Sequence, residues 1–126
     1  MKFREKILDS GTKLILGKDE KSNDELMKEY KGKSDMIIHT SAPGSPFGVI
    51  EAKSPKKQEI ITSGAIVAMY SQEWRNNKSD VVVDVFTGKD ISKRFWMKPG
   101  TWKVRKSSKM KIKKKDIEKA IKKFKK

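Results

Sequence analysis

The chain has 126 residues, 35% hydrophobic content and a formal net charge of +15, which allows one ordinary domain with a single modest core. It has no cysteine and one histidine, which excludes a disulfide framework, a thiolate zinc site and a histidine-cluster metal site; no metal or cofactor is expected. The longest apolar-leaning run, Ile60 to Tyr70, is broken by Thr62, Ser63 and Gly64 and falls short of the roughly 20 apolar residues of a membrane span; the opening MKFREKILDS lacks an apolar signal core, so a soluble, cytoplasmic protein is expected.

In chain order, Phe3, Glu5 and Ile7 alternate with polar neighbours, Asp9-Ser10-Gly11 supplies turn chemistry, and Lys13 to Leu16 returns as the second strand of a hairpin. After a charged loop from Gly17 to Ser22, Asn23 or Asp24 is placed to cap a short helix that runs through Tyr30 and ends at Gly32. Met36 to Ile38 reads as a buried strand, His39 to Pro46 as a loop with two prolines, and Val49-Ile50 as the resumption of a strand. Ser54-Pro55 has the pattern of an N-cap followed by proline at the first helical position, and the central core helix is expected to reach about Trp74. Val81 to Phe86 is rich in β-branched residues and closes with Thr87-Gly88. Two short strands are expected in Lys93 to Val104 around Lys98-Pro99-Gly100, then an edge strand from Lys109 to Lys113. Last comes a helix capped by Asp116, with Ile117, Ala120, Ile121 and Phe124 on one stripe. The order β-β-α-β-β-α-β-β-β-β-α predicts an α+β fold: a mostly antiparallel mixed sheet with one long central helix, a short helix and a C-terminal basic helix, the helices on one side. Residues 1–105 are read as the binding domain and 106–126 as a lysine-rich extension, strand plus amphipathic helix, docked on the same body.

Charge is distributed unevenly. Residues 1–87 carry 14 basic and 13 acidic groups, whereas residues 88–126 carry 17 basic and 3 acidic groups, so nearly all the excess sits in the last third. A one-sided positive field attracts polyanions, because each neutralised phosphate releases a condensed counterion. Within that third, Lys93, Arg94, Lys98, Lys103 and Arg105 are interleaved with Phe95, Trp96 and Trp102. Cations that hold phosphates beside rings that stack on bases are what single-stranded nucleic acid requires, although alternation along a strand buries either tryptophan equally well. A second candidate is the turn after His39, where Gly44 and neighbouring backbone N–H groups can form an anion nest, with His39, Ser41 and Ser45 as further donors; a rigid structural turn accounts for the same residues. A third is the lead-in Lys113-Lys114-Lys115 to the terminal helix, a source of general attraction. The carboxylate pairs Asp19/Glu20 and Asp24/Glu25 read as solvated or capping. A catalytic reading of His39 beside Ser41, Ser45 or Asp35 lacks a cysteine nucleophile, a G-x-S-x-G elbow and a P-loop, so no enzyme is expected.

Several motifs occur in an order that resembles a known family: FREKILDSGTKLILGK, then Asn23-Asp24-Glu25-Leu26, Asp35 and His39 as D-x-x-x-H, Pro43-Gly44-Ser45, AMYSQEWR, VVVDVF and KPGTWKV. The pattern resembles the RNA-binding domain of the NFACT proteins, ribosome-associated quality-control factors, in a free-standing, archaeal-type version. Ile37 stands where the family often has an aromatic residue, and Pro46 where a second histidine is frequent. The resemblance implies RNA as partner, rRNA or tRNA, with the large ribosomal subunit as its setting, and no reaction. It also implies that the turn at His39 contacts phosphate. The alternative is a ribosome-associated protein-interaction adaptor tethered by its basic tail.

Overall fold

The computed structural model describes residues 2–125. Strands β1 (Arg4–Ile7) and β2 (Lys13–Leu16) form the expected hairpin, with Leu8 N–H donating to Thr12 O at 2.9 Å across the turn. Helix α1 (Glu20–Tyr30), strands β3 (Met36–Thr40) and β4 (Gly48–Glu51), helices α2 (Lys57–Met69) and α3 (Gln72–Asn77) and strand β5 (Val81–Thr87) follow. A 3-10 turn at Gly88–Asp90 leads into β6 (Ile91–Ser92), β7 (Lys103–Val104), β8 (Ser108–Ile112) and helix α4 (Lys114–Phe124). Among the described residues, six strands form one sheet in the order β1-β2-β4-β3-β5-β8, and β6 pairs with β7 in a separate two-stranded sheet. Every pair is antiparallel, so the α+β architecture is as expected but the sheet is not mixed.

The helices lie on both sides of the sheet, which corrects the one-sided arrangement expected. Leu14, Leu16, Ile38, Ile50, Val81 and Val83 pack with Ala65 to Met69 of α2, Trp74 of α3, and Ile117 and Ala120 of α4. Ile15, Ile37, Val49 and Phe86, which point to the other face, pack with Leu26, Met27 and Tyr30 of α1, with Ile91 of β6 and against Trp102 and Val104. Successive residues of a strand point to opposite faces, so the apolar runs Leu14-Ile15-Leu16, Ile37-Ile38 and Val49-Ile50 need cover on both.

Helix boundaries differ from the sequence expectation for local reasons. Helix α1 starts at Glu20 because Asp19 accepts from Ser22 N–H at 2.8 Å and Ser22 Oγ accepts from Asp19 N–H at 3.0 Å, a reciprocal cap. That leaves Asn23 and Asp24 inside the first turns, free for tertiary bonds. Helix α2 takes Lys56 rather than Ser54 as its N-cap position, where the Glu59 carboxylate accepts from Lys56 N–H at 2.8 Å. It stops at Met69 instead of reaching Trp74, because Ser71 Oγ donates to Ala68 O at 2.6 Å and accepts from Trp74 N–H at 3.1 Å, ending one helix and capping the next. Helix α4 takes Lys113, not Asp116, as its cap position, and its Lys114 N–H is satisfied by Asp80 Oδ1 at 2.8 Å from beside β5.

The lysine-rich end is built into the core. Strand β8 pairs with β5 from Val81↔Ile112 to Val85↔Ser108, Ile112 and Ile117 are fully buried, and α2 carries glycine at position 64 where a Cβ would sit 2.7 Å from Ile112 Cδ1. Removing residues 107–126 uncovers the β5 edge and one face of α2. A circular-dichroism melt of the chain cut after Lys106 is therefore expected to show no cooperative transition, while the intact chain melts sharply.

Glu59 also ties α2 to the first hairpin by accepting from the hydroxyls of Ser10 and Thr12. The Ser10 and Thr12 hydrogen bonds, with that from Lys56 N–H, hold its carboxyl down at about 2. A carboxyl with a depressed folded-state pKa adds stability above its ordinary value, here 4.5, and loses it as pH falls through the folded value. Glu59→Gln is thus expected to melt below the wild type at pH 7, with the gap narrowing as pH falls from about 4.5 toward about 2.

Candidate nucleic-acid interface

Two residues near the N-terminus of α1 organise the candidate surface. Asn23 Oδ1 accepts from Phe47 N–H at 3.1 Å, which fixes the chain entering β4. Asp24 Oδ1 accepts three bonds from the 93–102 segment: Lys93 Nζ at 2.8 Å, Gly100 N–H at 2.9 Å and Trp102 Nε1 at 2.9 Å. Both ends of the segment are gathered onto one oxygen. The Asp24 and Lys93 side chains are only 17% and 18% exposed. Burial pushes the Asp24 carboxyl up, but the bonds from Lys93, Trp102 and Gly100 outweigh it and hold the group below the usual carboxylate range. Lys93 also donates to Lys98 O at 3.1 Å and lies 5.4 Å from the Trp102 ring centroid.

The segment consequently forms a ten-residue loop between β6 and β7 instead of the two strands read from its sequence; each strand has only two residues and lies outside it. Its two tryptophans have separate fates. Trp102 packs against the α1-side core with its indole N–H on Asp24, whereas Trp96 is 71% exposed and Phe95 fully so. Met97 N–H donates to Arg94 O at 3.0 Å, and Arg94 N–H meets Met97 Sδ at 3.3 Å, so a tight turn carries both rings. Arg94, Lys98, Lys103 and Arg105 are exposed around it; Arg94, Trp96, Met97 and Lys103 line one shallow cleft. The Arg105 guanidinium meets Asp90 Oδ1 at 3.4 Å and is largely open to solvent.

His39 lies within β3, which runs two residues past Ile38. Its ring stacks on Phe47 with centroids 4.3 Å apart, on the same face as Ile37 and hence as α1. Burial lowers its pKa below the ordinary value of 6.5, against the opposing effects of backbone bonds and Asp84. It is therefore a neutral ring at pH 7. The register sets His39 opposite Asp84 and Asp84 opposite Lys109. Asp84 Oδ1 accepts from Ser41 Oγ at 2.8 Å and from Lys109 Nζ at 2.8 Å, so Ser41 and Lys109 join the same cluster. Lys111 follows two residues along on the same face as Lys109, and Lys113, Lys114 and Lys115, where the chain passes into α4, are exposed as well. Ser45 turns inward: its Oγ accepts from Thr40 N–H at 3.1 Å and donates to Pro46 O at 3.3 Å. Gly44, at φ +94, seats the turn on α3 through its carbonyl, which accepts from Gln72 N–H at 2.8 Å.

A chain of contacts thus joins the two regions: the loop is held by Asp24, its neighbour Asn23 holds Phe47, and Phe47 carries His39. Sequence reasoning read Asp24 as a cap or a solvated acid, because nothing local marks a bond to residues 69 to 78 positions away. It also passed over Phe47 and Lys109 and Lys111. The alternation Lys109-Met110-Lys111-Ile112 carried the signal for the two lysines, since Met110 and Ile112 must face the core. Among the described residues, no group of three or more acidic, histidine or cysteine side chains is placed to hold a metal ion, and no helix is long and apolar enough to cross a membrane.

Comparison with known proteins bears on the same residues. The curated Rqc2 homolog RqcH of Bacillus subtilis (strain 168) is 30% identical over 92 residues, which cover 72% of this chain and 16% of that protein, so the chain spans about a sixth of the relative's length. A solved structure, the C-terminal part of the fibronectin/fibrinogen-binding protein from Streptococcus suis, superposes with a TM-score of 0.82 at 21% identity over 94% of this chain and 49% of that one, a likeness of fold. The family model described as the NFACT protein RNA binding domain matches residues 2–106, which take in α1 with its Asp24, the turn after His39 and the whole latched loop. With that span matched and the motifs of the sequence in place, the chain belongs to the NFACT RNA-binding domain family.

Proposed function

We propose that this protein binds structured RNA, rRNA or tRNA, in a ribosome-associated quality-control setting in the cytoplasm, and performs no reaction on it. One observation carries the reading. Exposed cations, Arg94 and Lys98 on the loop and Lys103 at the start of β7, stand beside an acid, Asp24, that three donors turn inward. Lys109 and Lys111 stand on the adjoining sheet face. Membership of an RNA-binding family supports the ligand class, and the likeness to an Rqc2 homolog supports the setting. Phosphates meet Arg94, Lys98, Lys103, Arg105, Lys109 and Lys111, with Lys113, Lys114 and Lys115 at the entry to α4. Ser41 and the neutral His39 add polar contacts, and Trp96 is the tryptophan open to a base. Lys93, Trp102, Gly44 and Ser45 shape this surface from within.

Five neutralised phosphates give a slope of about −4 for log K against log salt, measurable by fluorescence anisotropy with a labelled tRNA or rRNA fragment; a flat dependence overturns the electrostatic mechanism. Reversing Arg94 and Lys103 together to Glu is expected to weaken binding by roughly 10- to 100-fold. Reversing Lys119 and Lys122 on α4 should cost less, and the opposite ranking favours the tail-tethered adaptor. Labelled RNA is expected to stay intact with both wild type and His39→Ala; cleavage by the wild type that His39→Ala abolishes would establish catalysis instead.

A further inference from the structure

Phe95 and Trp96 are adjacent, fully and 71% exposed, on a loop that is otherwise tightly organised. Large aromatic side chains carry much of the apolar area available for burial, and a contiguous exposed pair marks a contact surface. The turn that carries them is built, since Arg94 and Met97 bond across its base, and both ends of the loop meet at Asp24 Oδ1. Its rings are therefore presented before a partner arrives, which lowers the ordering cost of binding.

The surroundings select the partner. Arg94, Lys98 and Lys103 are exposed beside the rings, so the patch combines π-faces with positive charge. Base faces are hidden in a duplex, where only phosphates and groove edges reach such a loop; unpaired nucleotides offer a flat face and a phosphate together. An anionic membrane interface also attracts aromatic and basic groups, but it is gripped by an extended apolar face, and here two rings stand on a single turn.

We propose that Phe95 and Trp96 form a two-ring stacking tip for unpaired nucleotides, which makes the protein select RNA with single-stranded loops or bulges over continuous duplex. This rests on the RNA reading above. The tip takes two successive bases while Arg94 and Lys103 hold their phosphates. Asp24 is a positioning residue, since it sets the loop without reaching the ligand.

The test uses the full chain, wild type and Phe95→Ala/Trp96→Ala, against a labelled stem-loop RNA, a fully paired RNA duplex of equal length, and vesicles rich in phosphatidylserine. The wild type is expected to prefer the stem-loop, and the double variant to lose roughly 10- to 100-fold on the stem-loop and less than about 2-fold on the duplex. Of the three tryptophans, Trp74 is buried and Trp102 is packed against the core. Quenching of emission by the stem-loop but not the duplex therefore reports Trp96. Equal loss on both RNAs, or none on either, overturns the tip while leaving RNA binding in place. Failure of the wild type to bind either RNA overturns the RNA reading itself, and vesicle binding that the double variant loses while its RNA affinity is unchanged assigns the rings to a membrane instead.

Discussion

Val49 and Ile50 are neighbours on β4, and both are fully buried. Because consecutive strand residues point to opposite faces, this pair alone excludes water from both sides of the sheet, and the rest of the architecture answers that demand. Helices α2 and α4 cover the face of Ile50. On the face of Val49, α1 covers part, and the β6–β7 hairpin completes the cover through Ile91, Trp102 and Val104. A hairpin with strands of two residues has little stability of its own. Asp24 supplies what the ladder lacks, joining the loop at the hairpin's tip to α1 through three bonds to one oxygen.

The same arrangement creates the functional surface as a by-product of covering the core. Closing the α1 face draws Lys93 and Trp102 inward and leaves Arg94, Phe95, Trp96, Lys98 and Lys103 facing out. At the end of that face nearest the start of α1, His39 rests on Phe47, and Asp84 binds Ser41 and Lys109. The lysine-rich end has two roles that alternate residue by residue. Met110, Ile112, Ile117 and Ala120 complete the core, while the lysines between them make the field. Charge and fold therefore cannot be separated by cutting the chain.

Much of this was legible beforehand. The first hairpin, β5, the edge strand β8 and the stripe of α4 follow from alternation, β-branched content and helical spacing, which are local properties. The shared motifs gave the family. Boundaries went wrong where one side chain had two possible uses: Ser71 both ends α2 and caps α3, and Asn23 and Asp24, good caps by type, are spent on Phe47 and on the loop because Asp19 and Ser22 already cap α1. Trp96 and Trp102 could not be told apart from composition, since each has a cation within two residues; only a partner for the indole N–H separates them.

The amino-acid sequence by itself determined the α+β class, the order of the strands along the chain, the family and the concentration of positive charge in the last third, because each of these depends on residues close together in the chain or on simple counts. Tertiary structure alone decided that helices cover both faces, which of the loop's cations and rings face solvent, and that the loop and the turn at His39 share one side of the sheet. These depend on where Asp24 and Phe47 find partners far away in sequence, and a hydrogen bond across 78 positions leaves no periodic trace in the chain that makes it.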